Sequence, residues 1–129
     1  MNAKDFSMIF ISVFGKDLSK NDIKRYRIGF KEGYLLWNIF GHKLFPSLEG
    51  DYARKAYDTI DKQGAFEIHL YWNNIHQEMR TLQSNHDSSQ KIDAEGLTEF
   101  YVISKNYDWV YVVTHEMNSA GPYFAKLDK

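Results

Sequence analysis

F-Y-V-I-S-K-N-Y-D-W-V-Y-V-V-T-H, Phe100 to His115, holds two runs rich in β-branched and aromatic residues on either side of Lys105-Asn106-Tyr107-Asp108. Such residues suit a pleated, well-covered surface, and a four-residue polar break suits a hairpin loop. The spacing predicts an antiparallel C-terminal β-hairpin, Phe100 to Ser104 with Trp109 to His115. Alternation along the second strand puts Trp109, Tyr111, Val113 and His115 on one face and Val110, Val112, Thr114 and Glu116 on the other.

Working outward, Ala65 to Trp72 alternates as a half-buried strand, with Phe66, Ile68, Leu70 and Trp72 on one face and Glu67, His69 and Tyr71 on the other. Asn73-Asn74 signals a turn, and Ile75 to Gln83 reads equally as a helix or as a hairpin partner. Ser84 to Gln90 is small or polar throughout and reads as mobile. Tyr52, Ala53, Ala56, Tyr57 and Ile60 form an apolar stripe with Arg54, Lys55 and Asp58 outside it, predicting a helix over 51–60. Ser19 reads as the N-cap of another helix carrying Ile23, Tyr26 and Phe30 and ending near Gly33. Tyr34 to Phe40 is an apolar run between Gly33 and Gly41, and reads first as a central strand covered on both faces; the competing reading continues the helix, since Phe30, Tyr34 and Trp37 keep helical spacing. Phe6 to Phe14 fits either a buried strand or a short helix. These elements lack a regular βαβ alternation. They predict one α+β domain over residues 1–129, with two or three helices packed on a largely antiparallel sheet of four or five strands.

Composition narrows the function. The chain has 129 residues, of which 43% are hydrophobic and 16% aromatic, enough for a core without staples. Sixteen basic residues against 17 acidic ones leave a net charge of −1, which argues against a nucleic-acid partner. The densest basic cluster, Lys24-Arg25-Tyr26-Arg27 with Lys31, reads as a solvated helix face. No cysteine is present, which removes disulfides, thiol nucleophiles and thiolate-bound metals. The apolar N-terminal run is too short to cross a bilayer and lacks the flanks of a signal peptide, so the expectation is a cytoplasmic protein with no membrane partner.

His115-Glu116 is the first chemical candidate, as a catalytic or metal-binding pair. A zinc-protease helix would need a second histidine where Ser119 stands, so the remaining chemical roles are a lone general base or one metal ligand among distant ones such as His42, His69, His76 and Asp or Glu residues. The competing reading is a histidine at a strand end that holds a turn. His69 and His76 flank the Asn73-Asn74 turn and are candidate metal ligands, although nothing nearby completes a ligand set. Phosphate-binding loops and nucleophile elbows are missing, so no cofactor is expected. Tyr101, Tyr107, Trp109, Tyr111 and Tyr123 gather around the hairpin and are the candidate binding residues, because aromatic anchors dominate protein interfaces.

Several segments carry a resemblance. They are Tyr34 to Phe40, Leu48-Glu49-Gly50 with Ala53 to Tyr57, Trp109-Val110-Tyr111 with Thr114-His115-Glu116, and Gly121-Pro122-Tyr123-Phe124. Together these resemble a family of small bacterial proteins, mostly of spore-forming and related Gram-positive bacteria, that forms a domain of unknown function. Its pattern is L-W-x-x-F, then L-x-G-x-x-A, then W-x-Y-x-x-T-H-E and G-P-Y-F, covering about 34 to 124. Asn38 departs from that pattern, which has a histidine there. The resemblance implies no activity. It implies that Trp109, Thr114, His115, Glu116, Gly121 and Pro122 form one local unit, with His115-Glu116 anchoring the turn that returns Gly121 to Phe124 to the sheet.

The leading expectation is therefore a non-enzymatic module that binds another protein; a toxin-neutralising immunity protein is one form of it, by analogy. The alternative is a small-molecule binder or modest hydrolase using His115 with Glu116 or His69.

Overall fold

The structure is a computed structural model that describes residues 2–70, 77–81, 88–116 and 120–127, with the backbone alone described over 77–81. Among the described residues, six antiparallel strands form one sheet in the order β1-β6-β5-β4-β2-β3. They are β1 (Leu48–Glu49), β2 (Phe66–Leu70), β3 (Gln77–Thr81), β4 (Phe100–Ile103), β5 (Trp109–Val113) and β6 (Tyr123–Lys126). The helices are α1 (Ala3–Phe14), α2 (Lys20–Arg25), α3 (Asn38–Gly41), α4 (Asp51–Thr59) and α5 (Ser89–Ala94), of which α1 and α4 are the long ones. The fold is α+β, as the sequence implies.

The β4–β5 hairpin forms in the expected register, with Phe100 opposite Val113 and Ile103 opposite Val110. Residues 77–81, open between helix and strand, pair with β2 and place Met79 opposite Ile68. Ser84 to Asp87 lie outside the described residues, whereas Ser88 caps α5 by accepting a hydrogen bond from the Lys91 amide.

Both faces of the sheet are covered. Ile68, Leu70, Tyr101, Ile103, Val110, Val112, Tyr123 and Ala125 meet α1 and the 28–40 segment. Phe100, Val102, Trp109, Tyr111, Val113 and Phe124 meet α4 and Ile92 of α5. Every residue of β5 is consequently buried, which explains why this strand is an unbroken apolar run instead of an alternating one.

Phe6 to Phe14 is helical because its phenylalanines recur every four residues. Phe6, Phe10 and Phe14 form one buried stripe, with Asn2 capping the helix by accepting from the Asp5 amide. The stripe meets the sheet through edge-to-face contacts of Phe6 and Phe10 with Tyr101, both at 5.7 Å. Such pairs add about 0.5–1.5 kcal/mol each beyond area burial.

The central strand expected over Tyr34 to Phe40 is not formed. The segment runs through successive tight turns into α3, with Ile39 N–H donating to Leu36 and Phe40 N–H to Trp37. Leu36, Trp37, Ile39 and Phe40 are still buried, because this coil lies across the α1 side of the sheet as a cover. Its apolar run reflects that covering role, and its amides are satisfied locally instead of by a strand ladder. The helix after Ser19 is likewise shorter than expected: Ser19 and Asp22 make a reciprocal capping box, and α2 ends at Arg25.

Candidate functional site

β5 ends at Val113, and the chain turns at His115 and Glu116. Alternation would send His115 to the α4 side. Because the strand stops first, its ring instead meets Trp37 of the opposite core at 5.9 Å, edge-on. Glu99 stands at the start of β4 and joins the two. Its Oε2 accepts the indole N–H of Trp37 at 2.9 Å, and its Oε1 accepts the backbone N–H of His115 at 3.1 Å. The same Oε1 contacts the imidazole Nδ1 of His115. Glu99 adopts a φ of 51°, in the left-handed region, which costs a non-glycine residue about 1–2 kcal/mol. Its carbonyl accepts from Leu70 N–H at 3.0 Å. Backbone and carboxylate together hold this conformation.

The turn itself hangs on Thr114, which is fully buried. Its hydroxyl donates to the Ala120 carbonyl at 2.6 Å and accepts from the Glu116 amide at 3.1 Å. Gly121 has a φ of 87°, and a Cβ there would stand 3.1 Å from Thr114 Cγ2, so only glycine fits at this close approach. Its N–H donates to Glu49 of β1 at 3.3 Å. The chain then enters β6, with Tyr123 opposite Val112.

Beside this turn lies a cleft of about 390 Å³ lined by Leu35, Trp37, Asn38, Gly41, His42, Glu49, Glu116, Ala120 and Tyr123. Tyr123 stacks on Trp37 at 6.1 Å. Burial, then the nearby Glu49 and Glu116 carboxylates, push its hydroxyl up to about 12, so it is neutral at pH 7. His115 Nε2 lies 3.8 Å from Glu116 Oε1.

The other sequence candidates fall in different places. Tyr101, Trp109, Tyr111 and Tyr123 are buried core residues, and of the five aromatic candidates only Tyr107 is half-buried. Among the described residues the exposed aromatic is Tyr52 at the start of α4. His69 sits in β2 with its ring against Phe100 at 5.0 Å, while His76 lies outside the described residues. Among the described residues no three His, Asp or Glu side chains gather as a metal site, and no helix is long and apolar enough to cross a membrane. Glu99 is the residue the sequence reading passed over. The hairpin register contains the signal: one step beyond the Phe100–Val113 pair brings residue 99 beside Thr114 and His115.

The family model for a domain of unknown function, DUF4275, matches residues 5–124. The chain belongs to the DUF4275 family. The match takes in α1 and α2 as well as the segments that carry the motifs, so in this DUF4275 protein the helical cover belongs to the same unit as the Trp37–Glu99–His115 cluster. No curated protein and no solved structure matches the chain.

Proposed function

We propose that this DUF4275 protein is a non-enzymatic module that binds another protein, docking it at the β1 edge of the sheet. The observation that carries the reading is Tyr52, which is 77% exposed on the first turn of α4. Leu48, four residues earlier on the edge strand, is also exposed. An exposed tyrosine beside an edge strand offers a partner both an aromatic anchor and unpaired backbone groups. The chemistry beside it supports the same reading. Both oxygens of Glu99 are engaged, and Thr114 is committed to the turn. Among the described residues no hydroxyl is hydrogen-bonded to His115 that it could activate as a nucleophile.

The test is affinity capture from lysate of the source organism with wild type and Tyr52→Ala. The expected result is a stoichiometric protein held by wild type and lost by a folded Tyr52→Ala. Equal recovery by both proteins, or none by either, contradicts the reading.

A second reading, a small-molecule binder or modest hydrolase, draws on one observation. Glu99 engages Nδ1 of His115, which leaves Nε2 facing Glu116 at the cleft, the arrangement a general base requires. Under it, His115→Ala abolishes ligand binding in an intact fold, whereas the leading reading predicts a change in stability alone.

A further inference from the structure

Two lysines of the basic cluster, Lys24 and Lys31, meet Lys20 around an apolar groove of about 280 Å³. Its floor is Ile23, Ile28, Phe30 and Tyr34. Ile28 is buried and the other three are half-buried, whereas the lysines are exposed. The groove is fixed by its own backbone. Arg27 turns the chain with a φ of 53°, and its carbonyl accepts from the Leu35 N–H at 3.0 Å and the Asn38 side-chain amide at 2.9 Å. The Ile28 N–H donates to the Ile23 carbonyl at 3.0 Å, and the Lys31 ammonium lies over the Tyr34 ring at 4.2 Å. Among the described residues no carboxylate lines the groove, and Lys20, Lys24 and Lys31 form no ion pair. Asp22, the acid of α2, is committed to the capping box, where it accepts the Ser19 N–H at 3.1 Å. From Lys16 to Glu32 six basic residues stand against three acids, in a chain whose net charge is −1.

We propose that this groove docks an acidic segment of a partner protein. One large apolar side chain of that segment sits on Ile23, Ile28, Phe30 and Tyr34, and flanking Asp or Glu side chains meet Lys20, Lys24 and Lys31. The proposal goes beyond the docking edge at β1 and does not depend on it, since it uses neither Leu48 nor Tyr52. Charge complementarity identifies the occupant: three ammonium groups without ion pairs around an apolar floor suit a ligand that is apolar at its centre and anionic on either side. The volume of about 280 Å³ lies just below the roughly 300–1,000 Å³ of whole-ligand pockets, so it suits one Phe or Leu side chain and is too short for an acyl chain. A nucleic-acid backbone would engage the lysines and leave the apolar floor unused. Exposed ion pairs contribute little each, so the anchor carries most of the affinity and the lysines select for acid beside it.

The experiment titrates the full chain with the peptide acetyl-Asp-Glu-Phe-Glu-Asp-amide and follows the amide resonances of Ile28, Gly29 and Gly33. Saturable shifts are expected. Binding should weaken at least about tenfold when glycine replaces the peptide's phenylalanine, and as much when Asn and Gln replace its acids. Lys20→Gln/Lys24→Gln/Lys31→Gln, with a thermal melt to check its fold, should weaken binding to the same degree, whereas Tyr52→Ala should leave it unchanged. Both control peptides act on wild type, so the outcome does not hang on the fold of a variant. Absent shifts at millimolar peptide overturn the proposal. So do equal shifts with the glycine peptide, which would make this face a general anion surface. The same shifts with sodium decanoate or oligothymidylate would assign the groove to an acyl chain or a nucleic acid instead. Shifts that follow protein concentration without peptide would assign it to a second copy of the chain, and either result overturns the acidic segment as the occupant.

Discussion

One carboxylate oxygen of Glu99 meets both nitrogens that fix His115, the ring Nδ1 and the backbone N–H, while the other oxygen takes the indole of Trp37. The Glu99 side chain is only 13% exposed, so these bonds compete weakly with water. His115 is thereby a corner post between β4, β5 and the coil over the sheet.

Glu99→Ala leaves the buried indole N–H of Trp37 without its acceptor, and is expected to lower stability by about 1–3 kcal/mol. Glu99→Gly loses the same bonds but accepts the positive φ without strain, so it should be less destabilised than Glu99→Ala by about 1 kcal/mol. Urea unfolding of the three proteins measures both. An alanine variant as stable as wild type would show that the carboxylate does not hold the corner.

How much of this was legible in the sequence depended on whether a residue's role was local. The β4–β5 hairpin and α4 could be read because residue type, period and loop agree. Phe6-Phe10-Phe14 was ambiguous because a nine-residue apolar run fits both periods, although the four-residue recurrence and the Asn2 cap carried the answer. Tyr34 to Phe40 misled because burial by a coil and burial in a central strand select the same apolar residues. Tyr101, Trp109, Tyr111 and Tyr123 were expected as binding residues, yet a sheet covered on both faces draws its aromatics inward. Glu99 meets Trp37 across 62 residues, and no local pattern encodes such a contact. Tyr52 was read as part of the α4 stripe, but it lies at the edge of the buried face, where Ala53 and Tyr57 do the packing.

Phe10 touches Phe6, Phe14, Phe40 and Tyr101. Phe10→Ala opens a cavity at the centre of that cluster and should cost about 3–5 kcal/mol. A shift in the urea midpoint with an unchanged slope would report it. A loss below about 1 kcal/mol would mean that α1 is not seated as described.

Tyr111 presents the opposite case. Its ring stacks on Tyr57 at 4.2 Å, but among the described residues its buried hydroxyl has no hydrogen-bond partner. Tyr111→Phe keeps the stack and removes the orphan, so stability should be unchanged or raised by up to about 1 kcal/mol. A loss of more than that in thermal or urea unfolding would reveal a partner for the hydroxyl.

Alkaline pH should destabilise the fold. Burial raises the Tyr101, Tyr107 and Tyr111 hydroxyls, and burial with Glu49 and Glu116 raises Tyr123 to about 12. A phenol raised in the folded state contributes stability that is fully present below the ordinary value of about 10 and lost as pH climbs through the folded values. The urea midpoint should therefore fall between pH of about 10 and 12. Lys62, lowered chiefly by burial, acts in the reverse sense as pH approaches its ordinary value, as one group against four. Phenolate absorbance of the folded protein provides the check: all nine tyrosines ionising together near the ordinary value would contradict the buried assignments.

The binding-module account is tested most directly by amide hydrogen exchange of the full chain, alone and with the protein it captures. The account predicts added protection at Leu48 to Tyr52, with the β2–β4 ladder unchanged. Protection confined to α1, or to no segment at all, would contradict it.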